Sequence, residues 1–252
     1  MEPYRLKKEM DIRAREKLKT LISKYKWRKW PALPGRTNHI EAAVLLLISR
    51  DDAWTCTMTL RNSKLREHGG EICFPGGKPE ERDKSLAQTA IRETEEELGV
   101  HAGEIIGRLS SVPLYTSDYR LEPFVAFIDH QKMSPCPQEV EAVLPISLKK
   151  ALMMESIDGI PFRLEGWAGN EPGSIETLSP VFDTKELLEN PVTETPIFGG
   201  TAFVFYELMT LVAKALAIPM PPLKKTARQF PPLNHSPKRE SKGTSAGAHF
   251  KP

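Results

Sequence analysis

The sequence predicts a mixed α/β domain, a sheet with helices on its faces. Three observations carry that prediction. An unbroken apolar run, Ala42–Ile48, is followed across Arg50-Asp51-Asp52 by a segment that alternates apolar and polar residues, the pattern of two hairpin strands. Residues 85–98 then switch to a helical period with start and stop signals at their ends. Strand-like and helix-like segments keep alternating to residue 217, which suits one sheet with helices packed against it.

Each element has its own warrant. Leu6, Met10, Ala14, Leu18, Leu21 and Tyr25 recur every three or four positions, one stripe of an amphipathic helix over residues 1–30. That stretch is basic, with eleven Lys/Arg, but its four acids set it apart from an organelle-targeting segment and favour a helix packed on the body. Trp30-Pro31 through Pro34-Gly35 is a linker. In residues 54–60, Trp54, Cys56, Met58 and Leu60 share one face and three threonines the other, which predicts a half-buried strand. Ala87, Ile91, Thr94 and Leu98 mark the buried face of the next helix. Ser85 with Gln88 three residues on forms a capping box, and Gly99 stops the helix. Ile105–Val112, Pro123–Ile128 and Ile160–Leu164 are further strand candidates, and Ser147–Met154 and Thr201–Ala217 are helix candidates.

Composition narrows the class. A chain of 252 residues suits one domain, 36–218, with extensions at 1–30 and 219–252. The net charge of +2 divides into −4 for residues 1–218 and +6 for 219–252, a basic, Pro-rich tail expected to be disordered. Such a tail offers nucleic acid or an anionic surface a contact, although plain solvation is the simpler reading. The longest apolar run is far below the roughly 20 residues that cross a bilayer, which predicts no membrane span. Cys56, Cys73 and Cys136 lack CxxC spacing and an even count, so the expectation is a cytoplasmic protein without a disulfide framework.

The chemistry concentrates between residues 61 and 100. Arg92-Glu93-Thr94-Glu95-Glu96-Glu97-Leu98-Gly99 places Glu93, Glu96 and Glu97 at i, i+3 and i+4, on one side of the helix. Like charges so spaced repel unless a cation lies between them, and oxygen-only clusters hold Mg²⁺ or Mn²⁺. Phe74-Pro75-Gly76-Gly77-Lys78 precedes the helix, and paired glycines let backbone approach a ligand closely.

Gly77 to Val100 resembles the Nudix box: Gly77, Arg92, Glu93, Glu96, Glu97, Gly99 and Val100 match it. Asp83 stands where a glutamate is usual, one extra residue separates it from Arg92, and Thr94 replaces an aliphatic residue. Upstream, Arg61-Asn62, Arg66, Gly70 and Phe74-Pro75-Gly76-Gly77 are similar to the coenzyme A pyrophosphatase branch, with Asn62 in a serine place. Pro123-Phe124-Val125 and Glu139-Val140 look like family positions as well.

The resemblance implies a Nudix-type α/β/α sandwich around a mixed sheet, and an enzyme that cleaves a diphosphate with Mg²⁺ or Mn²⁺ and water. Glu93 and Glu97 would be principal ligands, and Glu96 a third ligand or the group that orients water. Arg92 would fix a carboxylate or loop, Arg61 and Arg66 would clamp substrate phosphates, and Gly76 and Gly77 would line the substrate. The branch implies coenzyme A as substrate and 3′,5′-ADP and 4′-phosphopantetheine as products. Another nucleoside diphosphate derivative, such as ADP-ribose, NADH or a nucleoside triphosphate, rests on the same box. A nucleotide-binding module without catalysis is the third reading. His68 and Cys73 are expected to be surface and packing residues.

Overall fold

The computed structural model describes residues 2–33, 35–51, 53–165 and 174–228. In chain order these form α1 (Glu2–Ser23), β1 (Ile40–Ser49), β2 (Thr55–Arg61), β3 (Ile72–Cys73), β4 (Gly76–Gly77), α2 (Leu86–Leu98), β5 (Ile105–Arg108), β6 (Val112–Pro113) and β7 (Tyr119–Ile128). There follow β8 (Val140–Ser147), α3 (Leu148–Met153), β9 (Ile157–Glu165), β10 (Ser174–Val181), α4 (Thr184–Leu187), α5 (Gly199–Leu216) and β11 (Leu223–Lys225).

The main sheet is mixed. β1 runs parallel to β7 along its whole length and antiparallel to β2 and β4 on its other edge. Strands β1 and β2 pair only at Leu47↔Thr57 and Ile48↔Cys56 and then part. The segment Ile72–Gly77 fills the gap, β3 pairing with β2 and β4 with β1. This splay delivers the glycine pair into the sheet. A second, three-stranded sheet has the order β10-β9-β11.

Side chains alternate across β1 into two cores, as its continuous apolar run requires. Val44, Leu46 and Ile48 join α1 and α5 residues such as Leu18, Ile22, Phe205 and Leu208. Ala43, Leu45 and Leu47 join Ala90 and Leu98 of α2. The result is the α/β/α sandwich with a mixed sheet. Burying a leucine or isoleucine fully contributes roughly 1.5–3 kcal/mol, so the nine-residue core of α5 alone is a major part of this fold's stability. By length and composition α5 could cross a membrane; half of it is buried in the domain, where it forms the centre of the larger core.

Several expectations change. β2 is buried on both faces, Thr57 and Thr59 included, because the second core continues past it and Thr59 Oγ1 lies 3.3 Å from Cys73 Sγ. The strand expected over 105–112 is two strands, β5 and β6, with residues 109–111 between them; both pair with β7, and the register shift lies inside β5, between Ile105 and Gly107. The disorder expected over 219–252 does not begin at 219: Leu223 packs on the core, β11 pairs with β9, and Arg228 reaches Asp158 at 3.1 Å. Residues 229–252 lie outside the described residues.

Candidate active site

The helix expected at 85–98 forms with both caps in place. Ser85 Oγ accepts from the Gln88 N–H at 3.2 Å, and Gly99 takes the left-handed conformation, φ 62°. Thr94, Ala90 and Leu98 are buried, and Glu93 and Glu97 leave the helix along the side that meets the glycine loop.

The two glycines are there for space. A Cβ on Gly76 would lie 2.2 Å from the Ala43 carbonyl oxygen and 2.6 Å from Val44 Cα, and its φ of +147° disfavours any side chain. A Cβ on Gly77 would meet the Glu93 carboxyl at 2.5 Å. The Glu93 carboxylate therefore occupies the place where another residue would carry its side chain. Glu97 reaches the same loop, accepting from the Gly76 N–H at 3.3 Å.

Arg92 ties loop to helix. Its Nε and Nη2 donate to the two oxygens of Asp83 (3.0 and 2.9 Å), and Nη2 also donates to the Lys78 carbonyl at 3.0 Å. Nη1 meets Glu96 at 3.0 Å and Glu93 at 2.9 Å. A planar guanidinium with five donors suits this task and an ammonium does not. Asp83 further accepts from the Glu80 N–H and from Thr89 Oγ1. Arg92 holds its carboxyl well below the usual carboxylate range. Asp83, a departure from the box pattern in sequence, thus proves the anchor of the loop.

Glu97 is 4% exposed. Burial pushes its carboxyl up to about 8, against the opposing pull of the Arg61 charge and the Gly76 N–H; Glu139 and Glu93 add repulsion. Burial also raises Glu93, with Arg92 opposing. Arg61 stands half-buried at the end of β2, beside Glu97, its Nε buried and without a partner. Glu139, in the loop before β8, adds its charge to both Glu93 and Glu97. Sequence reasoning noticed Glu139-Val140 only as a family position. The pairing of Val140 with Arg61 carries the Glu139 loop to the site.

The structure thus gathers Arg61, Gly76, Gly77, Arg92, Glu93 and Glu97. Glu96 turns outward to Arg82 (2.9 Å) and Arg92, and Arg66 is exposed on the following loop. Asn62, in the serine place, is used by the loop itself: its Nδ2 donates to the Pro137 carbonyl at 2.7 Å and its Oδ1 accepts from the Lys64 N–H. His68 pairs with Glu71 at 3.0 Å, and Cys73 is held against Thr59. Among the described residues no three His, Cys, Asp or Glu side chains converge on one point, since Arg92 separates Glu93 from Glu96. The donor set still fits a hard divalent cation. It is all oxygen, and Glu97 is a buried carboxylate with one long hydrogen bond, a group that needs countercharge.

Residues 37–157 match the NUDIX domain model. A Nudix hydrolase NudL of Yersinia enterocolitica, itself uncharacterized, is 31% identical over 140 residues, 54% of this chain and 71% of that protein. The chain belongs to the Nudix family. The NudL of Escherichia coli O7:K1 is 38% identical over 118 residues, 46% of this Nudix chain and 61% of the relative, so the match spans under two thirds of that protein. Among solved structures, the NUDIX domain of Shewanella oneidensis NrtR, complexed with ADP ribose, shares 20% identity over 54% of this chain and 86% of that one, with a TM-score of 0.39.

Proposed function

We propose that this protein hydrolyses the diphosphate of coenzyme A or its derivatives to 3′,5′-ADP and 4′-phosphopantetheine. The carrying observation is the fit of the Glu93 carboxylate into the space over Gly77, with buried Glu97 on the same loop and Arg61, its Nε unpartnered, acting on Glu97. This is a cluster of carboxylates facing a cation-lined loop, the arrangement that handles a phosphate through a metal ion.

Glu93 and Glu97 would hold Mg²⁺ or Mn²⁺, with Glu96 within reach on the next turn once released from Arg92. A divalent cation bound there supplies charge neutralisation on phosphate oxygens and a lower pKa for water. The chain's own residues do the rest. Arg92 fixes Glu93 and the loop, so the carboxylates keep their places as substrate enters. Arg61 offers a guanidinium N–H to a phosphate oxygen, a charge-assisted bond worth about 1.5–3 kcal/mol. Water oxygen bonds to one phosphorus as its protons pass to solvent, the bridging P–O bond breaks, and the bridging oxygen leaves with the other phosphate. The Arg61 to Gly77 pattern supports coenzyme A over other nucleoside diphosphate derivatives.

The test is a panel: coenzyme A, its disulfide, an acyl thioester, ADP-ribose, NADH and nucleoside triphosphates with Mg²⁺ or Mn²⁺, products identified by mass. Coenzyme A species should show the highest kcat/KM. Equal or better cleavage of ADP-ribose removes the branch assignment, and no cleavage of any of them removes the hydrolase reading.

A further inference from the structure

Trp27, in the segment joining α1 to β1, is 42% exposed and yet fixed in place. The Arg108 guanidinium carbon lies 3.8 Å from its ring centroid, and 5.1 Å from the Phe124 ring. Arg108 is in turn ion-paired to Glu122, which is 2% exposed, and both Arg108 Nε and Glu122 Oε1 are buried without partners. An ion pair buried this way is a poor source of stability, because desolvation offsets its attraction. Its evident effect is geometric: it sets the plane against which the tryptophan rests. The backbone beside Trp27 is tied down too, with Arg28 N–H donating to Ser110 Oγ, Ser111 N–H to the Arg28 carbonyl, and Lys29 paired to Glu41.

This rigid aromatic has a defined relation to the carboxylates. Ala43 is the partner of Gly77 on one edge of β1 and of Glu122 on the other. Gly77 and Glu122 are therefore two strand spacings apart, roughly 10 Å. In-register residues of neighbouring strands point to the same face, and Ala43 and Phe124 both belong to the core beneath α2. Arg108 pairs with Phe124 in the adjoining strand. The Glu93 carboxylate over Gly77 and the Trp27–Arg108 stack thus lie on one sheet face, and Glu122, to which Arg108 is paired, is the β7 residue roughly 10 Å from Gly77 across β1.

We infer that Trp27, backed by Arg108 and Glu122, is the stacking platform for the aromatic base of the nucleotide substrate. The inference takes its ligand class from the diphosphatase reading above. Base-on-aromatic stacking tolerates different bases, and the cation–π contact with Arg108 holds the Trp27 ring in the plane on which a base would lie. Every surface part it needs is present: a large exposed ring, a fixed plane and a site for the phosphates on the same sheet face.

The test uses the full chain with Mg²⁺ and two ligands that are not turned over. These are 5′-AMP, which carries a base, and methylene diphosphonate, which carries none. Trp27→Ala should raise the Kd for AMP about 5- to 100-fold and leave that for the diphosphonate within twofold. Trp27→Phe should retain most of the AMP affinity and lose the part of the AMP-dependent fluorescence quenching that Trp27 supplies. An unchanged AMP Kd in folded Trp27→Ala overturns the inference, as does an equal loss for both ligands. Where Trp27→Ala fails to fold, full quenching in Trp27→Phe overturns it instead. AMP binding that depends on Trp27 in a protein inert towards coenzyme A would unseat only the substrate assignment. Coenzyme A cleavage with an unaltered KM in Trp27→Ala would unseat only the platform.

Discussion

Replacing each glycine of the pair by alanine separates stability from chemistry. At Gly77 the new Cβ would sit 2.5 Å from the Glu93 carboxyl carbon and from Oε2. Ordinary carbon contacts are about 3.5–4.0 Å, so the carboxylate must retreat by roughly 1 Å. It is the end of a side chain and can swing, but Arg92 holds it at 2.9 Å, and Asp83 and the Lys78 carbonyl hold Arg92. An off-rotamer Glu93 and a strained contact cost about 1–2 kcal/mol, or roughly 2–8 °C in Tm. A misplacement of about 1 Å at a catalytic centre lowers the rate about 10²-fold. At Gly76 the clash is with backbone, Ala43 O at 2.2 Å and Val44 Cα at 2.6 Å, and φ is +147°. Nothing there can rotate away, so β4 must leave β1, at about 3 kcal/mol or more and a Tm loss above roughly 6 °C. Thermal melts of both variants, with Mg²⁺-dependent diphosphate cleavage, check the pair. Gly77→Ala with the wild-type rate, or with as large a Tm loss as Gly76→Ala, would refute the Glu93 assignment.

Other outcomes follow from the same geometry. Glu97→Gln should lower kcat about 10²- to 10⁴-fold. Because burial raises Glu97 to about 8, the metal-free wild type loses stability as pH rises from the free glutamate value, about 4.3, towards 8. In EDTA the glutamine variant should therefore melt higher at pH 8, with the gap closing near pH 4; a gap independent of pH contradicts this. Asp83 is shifted the opposite way, so its contribution is present above about pH 4 and fades as pH falls towards its lowered native value. Asp83→Asn should melt below wild type at pH 7 and approach it in acid, as melts from pH 2 to 7 will show. Arg92→Lys keeps the charge and loses the fork to Asp83, and should cut activity at least tenfold with secondary structure, by circular dichroism, unchanged. Deleting residues 223–252 should lower Tm by several degrees through loss of β11 and Leu223, and an unchanged Tm would show that β11 contributes nothing.

The parts of the fold legible in sequence were those whose signals are local. α2 announced itself through Ser85, Gln88, Gly99 and a clean period, and β1 through an unbroken apolar run. β8 and β10 left no such trace. They contain Pro145 and Pro180, which break a strand pattern and are tolerated because each strand lies at a sheet edge. β11 lies in a Pro-rich, basic stretch, and only its long-range pairing with β9 gives it order. In the site, the Glu93 and Glu97 spacing was readable because a helix makes it so. The Glu139 approach, the Asp83–Arg92 fork and the Trp27–Arg108 stack were not, since each depends on residues brought together by tertiary packing. The outward turn of Glu96 was likewise invisible, because it is settled by Arg82 in the preceding loop.

What is inherited as a unit in this chain and what folds as a unit have different borders. The family match ends at residue 157 and begins at 37, whereas α1 and α5 lie outside those limits and supply much of the larger core on one face of the sheet. A fragment cut at the family borders would bare Val44, Leu46, Ile48, Met58, Val125 and Phe127 to water, a greasy slab that invites association with its own copies. Expression boundaries for this protein should therefore be drawn from Asp11, whose buried carboxylate grips the Trp54 indole, to Arg228, where the chain clasps Asp158.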